Sequence, residues 1–279
     1  MDETPILDNH LHLRPSTGSG INAVRDFVAA GGTHMLIVNN PSWYSGSLPE
    51  SGADFRSGFD ETVGVVDAAT TILPGRAYAV LGVHPALISQ LIESGGLSPS
   101  DAESLMCAGI DVAAEYVAAG RAVALKSGRP HYPVDAAVEK ASNHVLQHAI
   151  QRASDLEVAL QLHTESSEDL SDIIEWATER GLESNRVVKH FASGKLTGPI
   201  PSVISRRSAL EAIAAAQQPF LMETDFLDDP DRPGAVLGPK VIPKRTAWLR
   251  DEGYDDAVRT AHVETPKLVY GIDTESTLS

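Results

Sequence analysis

Several residue types are scarce in this chain of 279 residues, and each scarcity excludes a class of protein. Cys107 is the only cysteine, so no disulfide can form within the chain. It falls in the alanine-rich segment 100–119, which favours a helix, and we interpret it as a packed small side chain rather than a nucleophile. The acidic N-terminus lacks the basic flank and apolar core of a signal peptide, and no apolar run approaches the roughly 18 residues that span a bilayer. We therefore expect a cytoplasmic protein outside the membrane.

Positive charge is also scarce, and lysine is the scarcer cation. Seven lysines and fifteen arginines stand against 38 acidic residues, which gives a formal net charge of −16. Such a surface suits either an organism with a salty cytoplasm or an ordinary acidic enzyme, and both explanations stay open. Because this charge repels polyanions at low salt, we expect no stable complex with nucleic acid. Nothing in the sequence indicates an oligomeric state.

Short apolar segments alternate with amphipathic helical segments along the whole chain. The strand segments are apolar at most positions, as expected of parallel strands covered by helices, and eight of them favour a closed α/β fold, the (β/α)8 TIM barrel. An open, doubly wound sheet is the alternative. We predict a single barrel domain over residues 1–279, with C-terminal helices and a tail, 244–279, packing on it. The predicted strands are 5–8, 34–39, 76–84, 122–126, 157–163, 186–190, 200–204 and 220–225.

Ionisable residues stand at the C-terminal ends of six of these strands. A barrel brings those ends together at one mouth, so residues distant in sequence converge on one site. In the HLH sequence at 10–12, a spacing of two puts both imidazoles on one side of a strand, where they can bind one ion. The pair alone is weak evidence, but with His163, His190 and Asp225 at later strand ends it indicates a metal site. Imidazoles with a carboxylate suit zinc first, and also admit manganese, iron, nickel or magnesium.

At these strand ends the sequence resembles the TatD-type metal-dependent hydrolases of the amidohydrolase superfamily. The resemblance is carried by HLH, by GVHP at 82–85, by a histidine ending the fifth and the sixth strand, and by METD at 222–225. GRPHYPVD at 128–135 and PKLVYGI at 266–272 are similar to an archaeal branch of that family. Membership implies a (β/α)8 barrel that binds two divalent metal ions at its mouth and activates a water. Many relatives are nucleases that cleave phosphodiesters.

The resemblance also implies a role for each matching residue. Asp225 would accept a proton from the attacking water, besides binding metal. His84 would contact substrate or move a proton, because a histidine titrates near neutral pH; a structural histidine is the alternative. One ion would be held by His10, His12 and Asp225, and the other by His163 and His190.

The fourth strand departs from the family's pattern. Relatives typically carry there a glutamate that bridges the two ions, in a segment resembling GEIG, whereas this chain reads LKSG with Lys126 at the bridging position. An ammonium group has no lone pair and is repelled by two dications. Three states stay open. Lys126 reacts with carbon dioxide and bridges as a carbamate, as in the phosphotriesterase and dihydroorotase branches; or it stays charged and replaces one ion; or the site is degenerate and only binds.

Residues after Lys126 are candidates for substrate contact. Arg129, His131 and Tyr132 lie in the fourth loop, where an arginine either binds a substrate anion or fixes the loop. Two long loops, 41–60 and 227–243, also follow strand ends and are expected to face the substrate.

The predicted function is hydrolysis of phosphoesters, by a TatD-like deoxyribonuclease or phosphodiesterase acting on a small phosphoester or on the end of a nucleic acid. The first alternative is a lactonase, amidohydrolase or phosphotriesterase with a carboxylated Lys126. The second is a barrel that binds a metal or ligand without catalysis.

Overall fold

The computed structural model describes residues 4–232 and 236–278, apart from the side chain of Ser45, and its strands form one parallel sheet. The predicted loop 227–243 therefore lies partly outside the described residues. The strands are β1 (Leu7–His12), β2 (His34–Val38), β3 (Ala77–Gly82), β4 (Ala124–Gly128), β5 (Ala159–His163), β6 (Val187–Ala192), β7 (Ile200–Ile204), β8 (Leu221–Glu223) and β9 (Phe226–Leu227).

The sheet closes on itself through its last two strands. β8 and β9 are segments of one strand, interrupted only by Thr224 and Asp225. β8 pairs with β7, whereas β9 pairs with β1 at Leu11 and His12. The sheet thus returns to its first strand, which confirms the predicted (β/α)8 TIM barrel and excludes the open sheet.

Helices connect the strands and cover the outside of the sheet. Side-chain caps start two of them: the Asp135 carboxylate accepts hydrogen bonds from the N–H groups of Ala137 and Val138, and the Ser98 hydroxyl accepts one from Asp101. Short 3-10 turns cover Ser42–Ser45, Gly52–Phe55 and Ser184–Arg186, and a π-helical turn covers Thr260–Glu264. The helices are α1 (Ile21–Ala29), α2 (Arg56–Ala69), α3 (Leu87–Glu93), α4 (Pro99–Ala118), α5 (Ala136–Asp155), α6 (Ser171–Glu179), α7 (Arg207–Ala216), α8 (Val241–Asp251), α9 (Asp255–Arg259) and α10 (Thr265–Tyr270). None of the helices in the described ranges is long and apolar enough to cross a membrane.

Apolar side chains form two layers, one inside the barrel and one between the strands and the helices. The inner layer includes Leu36, Val80 and Val188, and the outer layer includes Met35 and Leu81. Side chains alternate between the two layers along each strand, so the residue two positions after an inward-facing residue also faces inward. Lys126 lies two positions after the inward-facing Ala124, and His190 lies two positions after the inward-facing Val188. Both side chains therefore point into the barrel mouth.

β1 extends to His12, four residues beyond the predicted end at residue 8. Its pairing with β2 is irregular between Asp8 and Leu11, which is the signature of a bulge. Leu7 belongs to the inner layer and Leu11 to the outer one, so the bulge changes the phase of the strand. As a result His10 and His12 face inward. The polar residues that were predicted to follow the strand belong to it.

The C-terminal segment contacts the end of the barrel opposite the mouth. His262 is fully buried, and its Nδ1 accepts a hydrogen bond of 3.1 Å from the N–H of Leu7, the first residue of β1. Its Nε2–H donates to Thr246 Oγ1 at 2.8 Å, whose own hydrogen goes to the carbonyl of Ile242. Burial lowers the pKa of His262 to about 3, which keeps the ring neutral and able to accept from Leu7.

We expect His262→Gln to lower the free energy of unfolding at neutral pH by about 1–3 kcal/mol, because it disturbs a buried hydrogen-bond acceptor. The deficit should shrink as the pH falls below about 6.5. Below that pH His262 is protonated in the unfolded wild-type chain, whereas in the folded chain it stays neutral until pH about 3. This difference lowers the stability of the wild type by up to about 1.4 kcal/mol per pH unit, and it is absent from His262→Gln.

Denaturant unfolding of metal-free protein across this pH range measures the effect. Val269→Ala removes buried apolar atoms from α10 without a titrating group, so its cost should be the same at every pH. Curves of wild type and His262→Gln that stay parallel would contradict the argument.

Candidate metal centre

The two histidines of β1 are held in defined tautomers by groups deeper in the barrel. His12 Nδ1 lies 2.9 Å from the carbonyl oxygen of Val38, which can only accept, so Nδ1 carries the hydrogen. His10 Nδ1 lies 2.7 Å from Gln161 Oε1. The amide nitrogen of Gln161 donates to the Asn9 carbonyl and to the Tyr270 hydroxyl, which orients its oxygen toward His10. His10 therefore also carries its hydrogen on Nδ1.

Both Nε2 atoms consequently present lone pairs at the mouth, and they lie 3.3 Å apart. Burial lowers the pKa of His10 well below its usual range and that of His12 to about 3, with the Lys126 charge adding to both effects. Two neutral imidazoles that face each other with acceptors only are a poor contact by themselves, and they are the form in which histidine binds transition metals. The donor set thus fits a divalent cation such as zinc.

His190 is oriented by a buried carboxylate. Its Nδ1–H donates to Glu223 Oε1 at 2.9 Å, and the N–H of Phe191 donates to the same oxygen at 2.7 Å. The Ser202 hydroxyl donates to the other oxygen and accepts in turn from the Asn9 amide. Burial raises the pKa of Glu223 well above its usual range, the Asp225 charge adds to that rise, and the hydrogen bonds from Ser202 and Phe191 oppose it. His190 Nε2 is thereby left with a lone pair directed at the mouth.

The other mouth histidines form a row that continues from His190. His163 Nδ1 lies 3.1 Å from His190 Nε2, and its Nε2 lies 3.0 Å from His131 Nδ1. The ring of His84 packs on that of His163 with centroids 4.3 Å apart, and Trp43 meets His84 edge-on. Burial lowers the pKa of both His84 and His163 well below the usual range. The imidazoles of His84 and His163 are therefore neutral as well.

Asp225 reaches the mouth because the backbone breaks between β8 and β9. Its φ of 49° is left-handed, and its N–H donates to the His10 carbonyl at 2.9 Å. The buried Asp8 carboxylate holds this break, since it accepts from the N–H and the hydroxyl of Thr224. Asp225 Oδ1 lies 4.0 Å from His10 Nε2 and 3.9 Å from His12 Nε2. Burial raises the pKa of Asp225 to about 6 and that of Asp8 to about 7.

Lys126 is 3% exposed, and its Nζ lies 3.3 Å from His10 Nε2. Burial lowers its pKa to about 8, against the opposing charges of Asp225 and Glu223. The backbone around it is tightly packed: a Cβ on Gly82 of β3 would lie 1.8 Å from the Lys126 carbonyl oxygen. The amine is thus placed among the histidine lone pairs, at the position that the sequence singled out.

The loop after β4 shows what its predicted contact residues do. Arg129 donates from Nε and both terminal nitrogens to Glu165 and Asp172, so a substrate anion would have to compete with two carboxylates. The Tyr132 hydroxyl donates to Ser89 Oγ at 2.8 Å. His131 is exposed beside His163, as described above. Substrate contact by these three residues stays a prediction.

A cavity of about 830 Å³ opens beside the histidine row, and we call it the β1–β3 cavity. Its wall comes from the ends of β2 and β3, from the loop after β1, and from 41–59, which is nearly the whole of the first long loop predicted to face substrate. His84 lines it and so connects it to the histidine row.

The ligand atoms of His10, His12 and Asp225 lie within 4.0 Å of one another. A second group in the described ranges, His10, His190 and Asp225, has its ligand atoms within 4.8 Å of one another. This group joins members of both predicted ligand sets, and the division into two sets stays a prediction. The sequence reasoning assigned no role to Glu223, Gln161 or Asp8, which orient the cluster from below. All three lie within two residues of a predicted ligand on the same strand, and that spacing was the available signal.

Comparison with known proteins points to one family. The sequence model described as TatD related DNase matches residues 7–264. "Uncharacterized protein MJ1127" from Methanocaldococcus jannaschii is 33% identical over 283 residues, 97% of either chain. Among solved structures, organophosphorus hydrolase from Deinococcus radiodurans aligns over 97% of this chain and 93% of its own, with a TM-score of 0.63 and 13% identity. The lactonase Lmo2620 from Listeria monocytogenes aligns over 96% and 95%, with a TM-score of 0.61 and 12% identity. At these identities the structural matches support the fold alone.

We expect Glu223→Gln to weaken metal binding by about 10–100-fold, the usual effect of losing a group that orients a metal-binding histidine. Glutamine has one acceptor oxygen, so it cannot serve all three donors that Glu223 receives from His190, Phe191 and Ser202. Competition titration with a chromogenic chelator measures the affinity. Glu211→Gln, an equal change on the exposed face of α7, is the control. Equal affinities for the two variants would show that Glu223 does not orient His190.

Proposed function

Because the chain belongs to the TatD related DNase family and is a metal-dependent hydrolase, we propose that it cleaves phosphoester bonds in small substrates or at nucleic-acid ends. The observation that carries the proposal is the pair of Nε2 lone pairs on His10 and His12, 3.3 Å apart, with the Asp225 carboxylate about 4 Å from both. A net charge of −16 disfavours a long polyanion, so we propose a small substrate or a strand end rather than duplex DNA.

We propose that the chain's own residues hold two ions. We propose His10, His12 and Asp225 for one, and His163 and His190 for the other. Divalent metal ions bound there would lower the pKa of a water molecule and polarise the scissile bond. Zinc suits the imidazole-rich donor set best, and manganese, iron, nickel or magnesium are the other candidates.

Two side chains are placed to move protons. The Asp225 carboxylate, with its pKa raised to about 6 by burial, accepts the proton of the attacking water. His84 lies at the boundary between the histidine row and the β1–β3 cavity, where it contacts substrate or passes a proton to the leaving group. Its Nδ1 accepts from the N–H of Ala86 at 3.2 Å, so Nε2 carries the exchangeable hydrogen.

We further propose that Lys126 is carboxylated. Its buried Nζ stands beside the His10 lone pair, where a bare ammonium could not bridge two cations. The neutral amine attacks the carbon of carbon dioxide, an N–C bond forms, and the nitrogen releases one proton to solvent. The product is a carbamate with charge −1 and two oxygens, which supplies the carboxylate that the family's glutamate would provide.

A second candidate is hydrolysis of lactones or phosphotriesters. Lys126 favours it, since a lysine at this strand end distinguishes the chain from the glutamate pattern of its family. Two proteins that share its fold are described as a lactonase and as an organophosphorus hydrolase.

We expect His10→Ala and Asp225→Asn each to reduce kcat/KM by about a hundredfold or more, because each removes a proposed metal ligand and Asp225 also serves as the base. Metal-loaded protein should be assayed on a phosphodiester, single-stranded DNA, a phosphotriester and a set of lactones. His144→Ala, at an exposed histidine of α5, is the control and should retain activity. A wild type inactive on the whole panel would contradict both proposed substrate classes.

We expect metal-free protein reconstituted without bicarbonate to show little activity, and bicarbonate to restore it, because the carbamate forms from carbon dioxide. Protein treated with ¹³C-bicarbonate should show one carbamate resonance by NMR, and Lys126→Arg should lack it. Full activity in carbon dioxide-free buffer, or density ending at Nζ of Lys126 in a metal-loaded crystal, would rule the carbamate out.

A further inference from the structure

A second feature of the mouth is Arg14, whose guanidinium group makes no close hydrogen bond to a carboxylate of the described residues. Arg14 follows β1 directly and lines the β1–β3 cavity. Its closest carboxylate oxygen is Asp229 Oδ2, 3.6 Å from NH1, which is longer than a hydrogen bond. The guanidinium also lies 4.8 Å above the ring of Tyr44, another cavity residue. With 18% of the Arg14 side chain exposed, this cation has lost most of its water and has gained an ion-pair partner in Asp229, but no hydrogen bond to a carboxylate within the described residues.

Arg129 shows how a satisfied arginine looks in the same mouth. Its side chain is 17% exposed, almost the same as that of Arg14, yet it donates to both oxygens of Glu165 and to Asp172 at 2.7 Å. The two guanidinium groups thus differ in their partners and not in burial. Arg14 has free donors in the fork geometry that suits carboxylate and phosphate oxygens.

The position of Arg14 is fixed by the backbone. The buried Asp228 carboxylate accepts hydrogen bonds from the N–H groups of Arg14, Ser19 and Gly20, at 3.0, 2.6 and 2.7 Å. The N–H of Asp228 in turn donates to the His12 carbonyl. The loop that carries Arg14 is therefore tied to the metal-binding end of β1, and the guanidinium keeps a defined place relative to the cluster.

The charges around the cavity concentrate its positive potential at Arg14. Among the residues that line it, Arg14 is the only arginine or lysine, and Glu50, Asp54 and Glu61 are the acids. The Asp54 carboxylate already accepts from the backbone N–H groups of Glu50 and Ser51. An anion in this cavity is therefore favoured at the end beside Arg14.

We propose that Arg14 binds an anionic group, a carboxylate or a phosphate, on the part of the substrate that does not react. The inference rests on the proposed function only in that the substrate reacts at the histidine cluster. The substrate then spans from the cluster, past His84, into the β1–β3 cavity, and Arg14 selects for negative charge at its far end.

Calorimetric titration of metal-loaded protein with glutarate and with inorganic phosphate tests the site without catalysis. We expect at least one of these anions to bind, and Arg14→Gln to weaken that binding about tenfold or more, because a charge-assisted contact is lost. The anion that shows this dependence identifies the group as carboxylate or phosphate. Arg25→Gln removes the same charge from the exposed face of α1 and should leave the affinity unchanged. Absence of binding, or equal affinities in wild type and Arg14→Gln, would overturn the proposal.

Kinetics with paired substrates separates selection from catalysis. The pair shares a 4-nitrophenyl leaving group and the ester class that the wild type cleaves, and its alkyl chain ends in a carboxylate or in the methyl ester of that carboxylate. Arg14→Gln should raise KM for the charged member about tenfold and leave kcat and the neutral member unchanged. An equal effect on both members would overturn selection by charge. If the wild type cleaves no ester, the proposed function fails, and the calorimetric result alone decides the role of Arg14.

Discussion

The site depends on one constraint: the buried N–H groups of His10, His12 and His190 must find acceptors in the barrel below them. Val38, Gln161 and Glu223 supply those acceptors, and each takes the hydrogen on Nδ1 of its histidine. As a result, Nε2 of each ring directs its lone pair toward the mouth. Burial keeps the rings neutral by making the protonated form costly. The chemistry of the mouth is thus set by hydrogen bonds one layer deeper.

That deeper layer also joins the strands that carry the proposed metal ligands. Tyr270 from α10 accepts from Gln161 of β5 and donates to Asn9 of β1, and Asn9 continues to Ser202 of β7 and on to Glu223 of β8. Tyr270 is partly buried and the other four residues are fully buried, so each polar group would be costly if its partner moved. The network therefore fixes the proposed ligands with respect to one another, although they come from opposite ends of the chain.

The sequence predicted those features that follow from strand order alone. In a parallel barrel every strand end is at the mouth, so positions of histidines along the chain suffice to bring His163 and His190 together. The bulge in β1 escaped prediction, because a change of phase depends on pairing with β2 rather than on local composition. Glu223 was read as part of METD but received no role, since its direction depends on the break at Thr224. Arg129 and Arg14 differ only in their partners, which no spacing reveals.

The charges of the mouth are compatible with the proposed action of so acidic a chain on anions. The net charge of −16 governs encounter over long distances, and salt screens it beyond roughly 8 Å at physiological ionic strength. Inside the mouth the nearest charges decide, and Lys126 and Arg14 are buried or partly buried there. Carboxylation of Lys126 would make its charge negative, and bound divalent ions would more than replace the charge lost. A small anion then meets positive potential only after it has entered, whereas a long polyanion meets the acidic surface over its whole length. The same electrostatics thus favours short substrates and leaves Arg14 as the permanent positive charge of the β1–β3 cavity.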